Sequence, residues 1–158
     1  MKKIIIILPL LFTLLSFYSQ NTALKVNNLE IGKVYTDAQI QNSLGTPTSI
    51  KLPSPDDEVR NVTVYIYNND AFLFMEGEFI SFGLRDTTFA VNGFLKSGDC
   101  VSKVNQMGGI ITTSESPDII LWAPNDQYKD NYGYLAVHFN TTTQKITYLV
   151  GEISAPLL

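Results

Sequence analysis

One cysteine, one histidine and one tryptophan are all that 158 residues contain of each. A single cysteine excludes an intramolecular disulfide framework, and a single histidine excludes a histidine-rich zinc site. Charge is also sparse, at 16% of the chain. The first twenty residues hold two of the eleven basic side chains, Lys2 and Lys3, and no acid. The remainder therefore carries nine basic against fifteen acidic residues, net −6. Affinity for nucleic acid rests on neutralising phosphates with Lys and Arg, so an acidic domain is a poor candidate for it. Only one long apolar run exists, and it is N-terminal. The length is that of one domain.

That run has the three parts of a secretory signal peptide. Met1-Lys2-Lys3 is a positive start, Ile4 to Leu15 is almost unbroken apolar sequence, and small and polar residues return from Ser16 to Gln20. The run is 12 residues, against the roughly 20 a spanning helix needs. No cysteine lies near its end to carry a lipid. The expectation is a signal peptide over 1–20, cut between Ser19 and Ala23, and a single mature domain over 21–158. The mature protein is expected to be exported, periplasmic or extracellular, with no membrane insertion after cleavage.

The mature chain reads as one unit written twice, with a first copy over about 24–93 and a second over about 94–158. Gly32 and Gly98 each open a helix-like segment that ends in glycine. In the first, Thr36 stands three residues before Gln39, a capping-box spacing, with Tyr35 and Ile40 placed for a hydrophobic staple. Ile40 and Leu44 share a helical stripe, Gly45 stops the helix and Pro47 prevents its continuation. In the second, Asp99 is the expected cap, Val101, Val104 and Met107 recur every third residue, and Gly108-Gly109 follows.

Strand patterns follow each helical segment. The first copy predicts strands at Val62–Tyr67, Ala71–Met75, Glu78–Leu84 and Thr87–Val91. The second predicts them at Ile110–Thr113, Asp118–Trp122, Gly133–Phe139 and Lys145–Ile153. The fold class is α+β: two tandem repeats, each a short Gly-terminated helical segment followed by antiparallel strands, forming a broad sheet with helices on one face. A plain β-sandwich, with both helical segments reduced to single turns, is the alternative.

The stretch Leu29-Glu30-Ile31-Gly32-Lys33, running through Thr36-Asp37-Ala38-Gln39 to Leu44-Gly45-Thr46-Pro47, resembles the opening of the beta-lactamase inhibitory protein-like superfold. It is similar in the same way to the small envelope lipoproteins of the SmpA/OmlA type. The shared pattern is a glycine, a short helix with a polar start, Leu-Gly-x-Pro and then a strand meander. In the second half Gly108-Gly109 stands where Gly-x-Pro would be. The resemblance implies a repeated helix-plus-meander fold and a non-catalytic role as an inhibitor or an envelope component. The disulfides of the inhibitors and the lipidated cysteine of the lipoproteins have no counterpart here.

A catalytic set is not legible. Covalent hydrolysis needs a nucleophile, a base and an orienting group. His138 could be a general base, but it alternates on a strand with Tyr134 and Ala136 and has no evident partner. Cys100 lies beside Asp99, and an acidic neighbour does not lower a thiol pKa, so it reads as a small, buried or partly buried residue. Asp56-Asp57-Glu58, and Asp126 with Asp130, lack calcium-loop spacing and read as solvated loop charges. Asn61-Val62-Thr63 and Asn140-Thr141-Thr142 are glycosylation sequons, relevant only to a eukaryotic secretory route. No catalytic residue, metal ligand or cofactor is expected.

What remains is a surface. If Val62, Val64 and Ile66 face the helices, Tyr65 and Tyr67 face outward. Tyr134 and His138 lie opposite Leu135, Val137 and Phe139. Tyr148 falls with Ile146 and Val150, and Trp122, Tyr128 and Tyr132 border a polar loop at the sheet's edge. Tyr and Trp make good binding anchors, with large rigid area and a polar tip. The expected function is an exported, non-catalytic protein-binding module, either an enzyme inhibitor or an immunity-type protein. It would dock on another exported or envelope protein through Tyr65, Tyr67, Trp122, Tyr128, Tyr132, Tyr134 and His138. A structural or assembly component of the bacterial cell envelope is the alternative.

Overall fold

In the computed structural model the described residues are 23–54, 61–124 and 133–153. The expected signal peptide, Tyr128, Tyr132 and the acidic stretches Asp56-Asp57-Glu58 and Asp126 with Asp130 lie outside them.

A two-stranded hairpin, β1 (Lys25–Val26) and β2 (Leu29–Glu30), opens the fold. Helix α1, Asp37–Leu44, follows as the sequence predicts. The Thr36 hydroxyl accepts from the Gln39 N–H at 3.3 Å, and the Gln39 side chain accepts from the Thr36 N–H at 2.8 Å, completing the capping box. Ile40 and Leu44 are its buried stripe. Gly45, at φ 86°, ends it with an N–H that donates to the Gln41 carbonyl at 2.8 Å.

The second helical segment, Val101–Met107, is a 3-10 helix. Its buried residues Val101, Val104 and Met107 fall at i, i+3 and i+6, which line up on one edge when there are three residues per turn. Cys100, not Asp99, occupies the cap position and supplies no capping bond. The Asp99 carboxylate instead accepts from the Lys96 N–H and pairs with the Lys103 ammonium, both at 2.9 Å.

The remaining strands form one antiparallel sheet: β3 (Ser49–Lys51), β4 (Val62–Tyr67), β5 (Asp70–Met75), β6 (Glu78–Leu84), β7 (Ile110–Thr113), β8 (Ile119–Ala123), β9 (Gly133–Asn140) and β10 (Lys145–Ile153). Their spatial order is β3-β4-β5-β6-β10-β9-β8-β7. Two four-stranded meanders thus meet at their last strands, and each follows one of the two helical segments. Thr87–Val91 is not a strand; Val91 only bridges to Val26 and Leu95.

Residues directly opposite in an antiparallel pair share a face, so the register assigns every side chain. Tyr65 lies opposite Phe72, Phe72 opposite Phe82, and Leu84 opposite Leu149. Leu149 lies opposite Val137, and Leu135 opposite Trp122. All of these are buried in one cluster with Ile40, Leu44, Val101, Val104 and Met107. Both helical segments therefore cover this face of the sheet. A bulge between β5 and β6 lets Phe79 and Phe82, three residues apart, both point into the cluster. Phe74 stacks on Phe79 at 5.0 Å, and Tyr65 meets Phe74 edge-on at 5.4 Å.

The outward orientation expected of Tyr65, Tyr67 and Trp122 is corrected here. Tyr65 is 2% exposed, Tyr67 7% and Trp122 fully buried. A large aromatic ring buries more area than a valine or isoleucine, so the aromatic side of β4 joins the phenylalanines of β5 and β6. Each polar tip finds a partner at the core's rim. The Tyr65 hydroxyl donates to Asp37 at 2.6 Å, the Tyr67 hydroxyl to the Gly45 carbonyl at 3.2 Å, and the Trp122 indole N–H to the Gly108 carbonyl at 2.5 Å.

Candidate docking surface

The opposite face of the sheet has no helix over it among the described residues, and its composition follows from the same register. On β4 and β5 the pairs Val62/Met75, Val64/Leu73 and Ile66/Ala71 point outward. Most are half-buried, and Met75 is 39% exposed. Across the seam, Val150 lies opposite both Gly83 and Ala136, and Ala136 opposite Leu121. Aliphatic groups therefore run across most of the face.

Tyr134 and His138 sit on this face of β9, as the alternation predicts. A bulge in β10 separates Ile146, which faces the core opposite Phe139, from Tyr148, which lies opposite His138. That bulge corrects the expectation that Tyr148 and Ile146 share a face. The Tyr148 and His138 rings are 5.5 Å apart, and the Arg85 guanidinium carbon stands 4.0 Å over the Tyr148 ring. Gly83 makes room for this group, since a Cβ there would fall 2.5 Å from the Tyr148 hydroxyl oxygen. Four residues further along β9 and β10, beyond the Ala136/Val150 pair, the Tyr134 hydroxyl donates to Glu152 at 2.5 Å. The face is thus aliphatic over β4–β5 and β8, with an Arg85–Tyr148–His138 stack and a Tyr134–Glu152 pair between.

Leu73, Met75, Leu121 and Arg85 were not singled out from the sequence, and Val62, Val64 and Ile66, expected to face the helices, are corrected to the open face. The signal was present in the hairpin. The two-residue turn Asn68-Asn69 forces Tyr67 opposite Asp70 and Tyr65 opposite Phe72. Once the phenylalanines are assigned to the core, Val64 and Leu73 must point away from it.

Reactive groups elsewhere are few. Among the described residues no group of three or more His, Cys, Asp or Glu side chains could hold a metal ion. Cys100 is exposed, which corrects the expectation of a buried or partly buried thiol. The Ser102 hydroxyl, 3.2 Å from Sγ, and the Ser102 N–H hold its thiol below the ordinary value, and Lys145 adds to this. The neighbouring Asp99 carboxylate is turned to Lys103, with which it pairs at 2.9 Å. Asp70 is 1% exposed on the core side, where burial pushes its carboxyl above the ordinary value against the pull of two backbone N–H donors, those of Asp86 and Arg85. A cleft of about 290 Å³ beside α1 is lined by Asn28, Leu29, Tyr35, Gln39, Asn42 and Ser43. It gathers neutral amides and hydroxyls with no nucleophile or base.

No protein-family model matches the chain, and no curated protein matches it. Among solved structures it is similar to an extracellular protein containing a SCP domain from Bacillus anthracis str. Ames. The identity is 11% with a TM-score of 0.47, over 81% of this chain and 50% of that one. The chain thus spans half the length of that structure. No helix among the described residues is long and apolar enough to cross a membrane.

Proposed function

We propose that this chain is an exported, non-catalytic protein-binding module that docks on another exported or envelope protein through the open face of its sheet. One observation carries the reading: β4 and β5 present apolar side chains on both faces, yet among the described residues helices cover only one. An antiparallel sheet with one wetted face normally alternates apolar and polar residues, and strands apolar on both sides are those buried on both sides. The six strands β4–β6 and β8–β10, about 4.8 Å apart and roughly 23 Å long, offer about 650 Å². That is close to the roughly 800 Å² each partner contributes to a stable protein complex.

Tyr134 and His138 belong to this surface, together with Tyr148, Arg85, Val64, Leu73 and Leu121. Tyr65, Tyr67 and Trp122 act from beneath it by holding the sheet in shape. The order of helical segment and meander, repeated with the last strands adjacent, supports reading the chain as a tandem repeat joined about a pseudo-two-fold axis. That plan agrees with the resemblance to the inhibitory protein-like superfold, and inhibition of an exported enzyme or an immunity-type role is the function it favours.

The test is capture of a partner from the cell's own envelope and culture fluid by the tagged mature chain. It is run beside Val64→Lys/Leu73→Lys and Tyr134→Ala/His138→Ala variants. A partner held by the parent chain and lost by both variants, at an unchanged melting temperature, supports the reading. Equal capture by all three refutes it.

A further inference from the structure

The two edges of the large sheet are unlike. β3 is three residues long and carries Lys51, with Pro53 just beyond it. Shortness, charge and proline are the devices that discourage a sheet edge from pairing. β7 has none of the last two: Ile110-Ile111-Thr112-Thr113 is uncharged and free of proline. All four residues are exposed, with Ile110 at 38% and Ile111 at 37%. Among the described strands only β8 pairs with it.

The open side of β7 can be read residue by residue. The Ser114 N–H donates to the Ile119 carbonyl at 3.4 Å, which continues the β7–β8 register. Backbone groups alternate in direction along an antiparallel strand. Ser114, Thr112 and Ile110 therefore aim theirs at β8, and Ile111 and Thr113 aim their N–H and C=O groups away from the sheet.

We infer that a second copy of this chain pairs with β7 edge to edge, antiparallel, about a two-fold axis at Ile111. Two identical antiparallel strands form a self-complementary contact, the symmetry of most homodimers. Centring on Ile111 lets its N–H and C=O bond reciprocally across the axis. It also keeps the helix-covered face of one sheet continuous with that of the other. Ile110 of one copy then lies beside Thr112 of the other, both exposed side chains on the same face. The nearest acid, Glu115, falls at opposite ends of the seam in the two copies, so like charges do not meet. A four-residue seam is smaller than a standard interface, so the association is weak. This pairing is independent of the docking face, which lies on β4–β6 and β8–β10.

Sedimentation analysis of the mature chain from about 10 μM to about 1 mM, the range suited to a small interface, tests it. The expected result is a mass that rises from one chain to two. Thr112→Lys places a charge on the exposed side of the seam. Ile111→Pro removes the outward N–H and takes nothing from the β8 ladder. Each is expected to weaken association at least tenfold with an unchanged melting temperature. If Ile111→Pro fails to fold, Thr112→Lys carries the test. A parent chain that stays monomeric throughout overturns the inference. So does a dimer whose affinity Thr112→Lys leaves unchanged.

Discussion

Replacing Asp70 separates two roles of one buried carboxylate. Its Oδ1 accepts from the backbone N–H groups of Arg85 at 2.6 Å and Asp86 at 2.9 Å, tying the start of β5 to the chain leaving β6. Its Oδ2 is buried without a hydrogen-bond partner among the described residues. Asp70→Ala leaves two N–H groups without their acceptor and opens a small void. Hydrogen bonds to a charged group are worth about 1.5–3 kcal/mol each, offset here by relief of a desolvated charge, so a net loss of about 2–4 kcal/mol is expected. For a domain of this size that lowers Tm by roughly 6–16 °C. Asp70→Asn keeps the accepting oxygen and removes the charge, so a loss under about 1 kcal/mol is expected.

The pH dependence has a definite sign. Burial raises the native carboxyl above its unfolded value of about 3.9. A group raised in this way contributes stability that is fully present below the unfolded value and is lost as pH rises through the native one. The stability of Asp70→Asn relative to the parent should therefore improve between pH 4 and pH 7. Urea denaturation of the three proteins at both pH values measures this. Equal destabilisation by Asn and Ala, or a gap between Asn and parent that moves the other way with pH, refutes the reasoning.

Other substitutions read the two faces of the sheet separately. Tyr65→Phe deletes the bond to Asp37 and should cost about 1–2 kcal/mol in denaturant titration, whereas Trp122→Ala should cost about 3–5 kcal/mol or abolish folding. Gly151→Ala drives a methyl group into the buried Phe82 ring, so a loss of about 1–3 kcal/mol or more is expected in thermal melts. Gly83→Ala meets the hydroxyl end of the Tyr148 ring on the open face, where the ring can swing aside, and should cost under about 1 kcal/mol. Cys100 should react fully with a thiol reagent in the native protein, with a pH midpoint below that of an ordinary thiol. Ser102→Ala should move that midpoint upward.

The start of α1 and most of the strands are legible because their signals are local. Thr36, Gln39 and Gly45 specify α1 through bonds within a few residues of one another. Seven of the eight expected strands recur with bounds shifted by at most one residue, Asp118–Trp122 among them as Ile119–Ala123. Thr87–Val91 failed because its alternation serves a buried loop, in which Phe89 and Val91 fill the core without a strand partner. The short strand β3 gives no signal because three exposed residues, Ser49-Ile50-Lys51, are too few to establish a period.

The face assignment of β4 was the consequential error. Alternation alone gives two faces and does not say which is buried. Val-Val-Ile and Tyr-Tyr are both acceptable core sides until the hairpin partner is considered. The two bulges were equally invisible, since each shifts register by one residue without a sequence marker. Of the residues named for docking, Tyr134 and His138 lie on the open face, because β9 has an unambiguous aliphatic side.

Methionine oxidation tests the division of labour between the two faces most directly, because the chain carries its own control. Met75 lies on the open face at 39% exposure, and Met107 is buried under the helix-covered face at 2%. Peroxide treatment of the purified mature chain should oxidise Met75 and spare Met107. In the complex captured from the cell's own envelope or culture fluid, Met75 should be protected as well. Oxidation of Met75 at the same rate in the complex and in the free chain would contradict docking through this face.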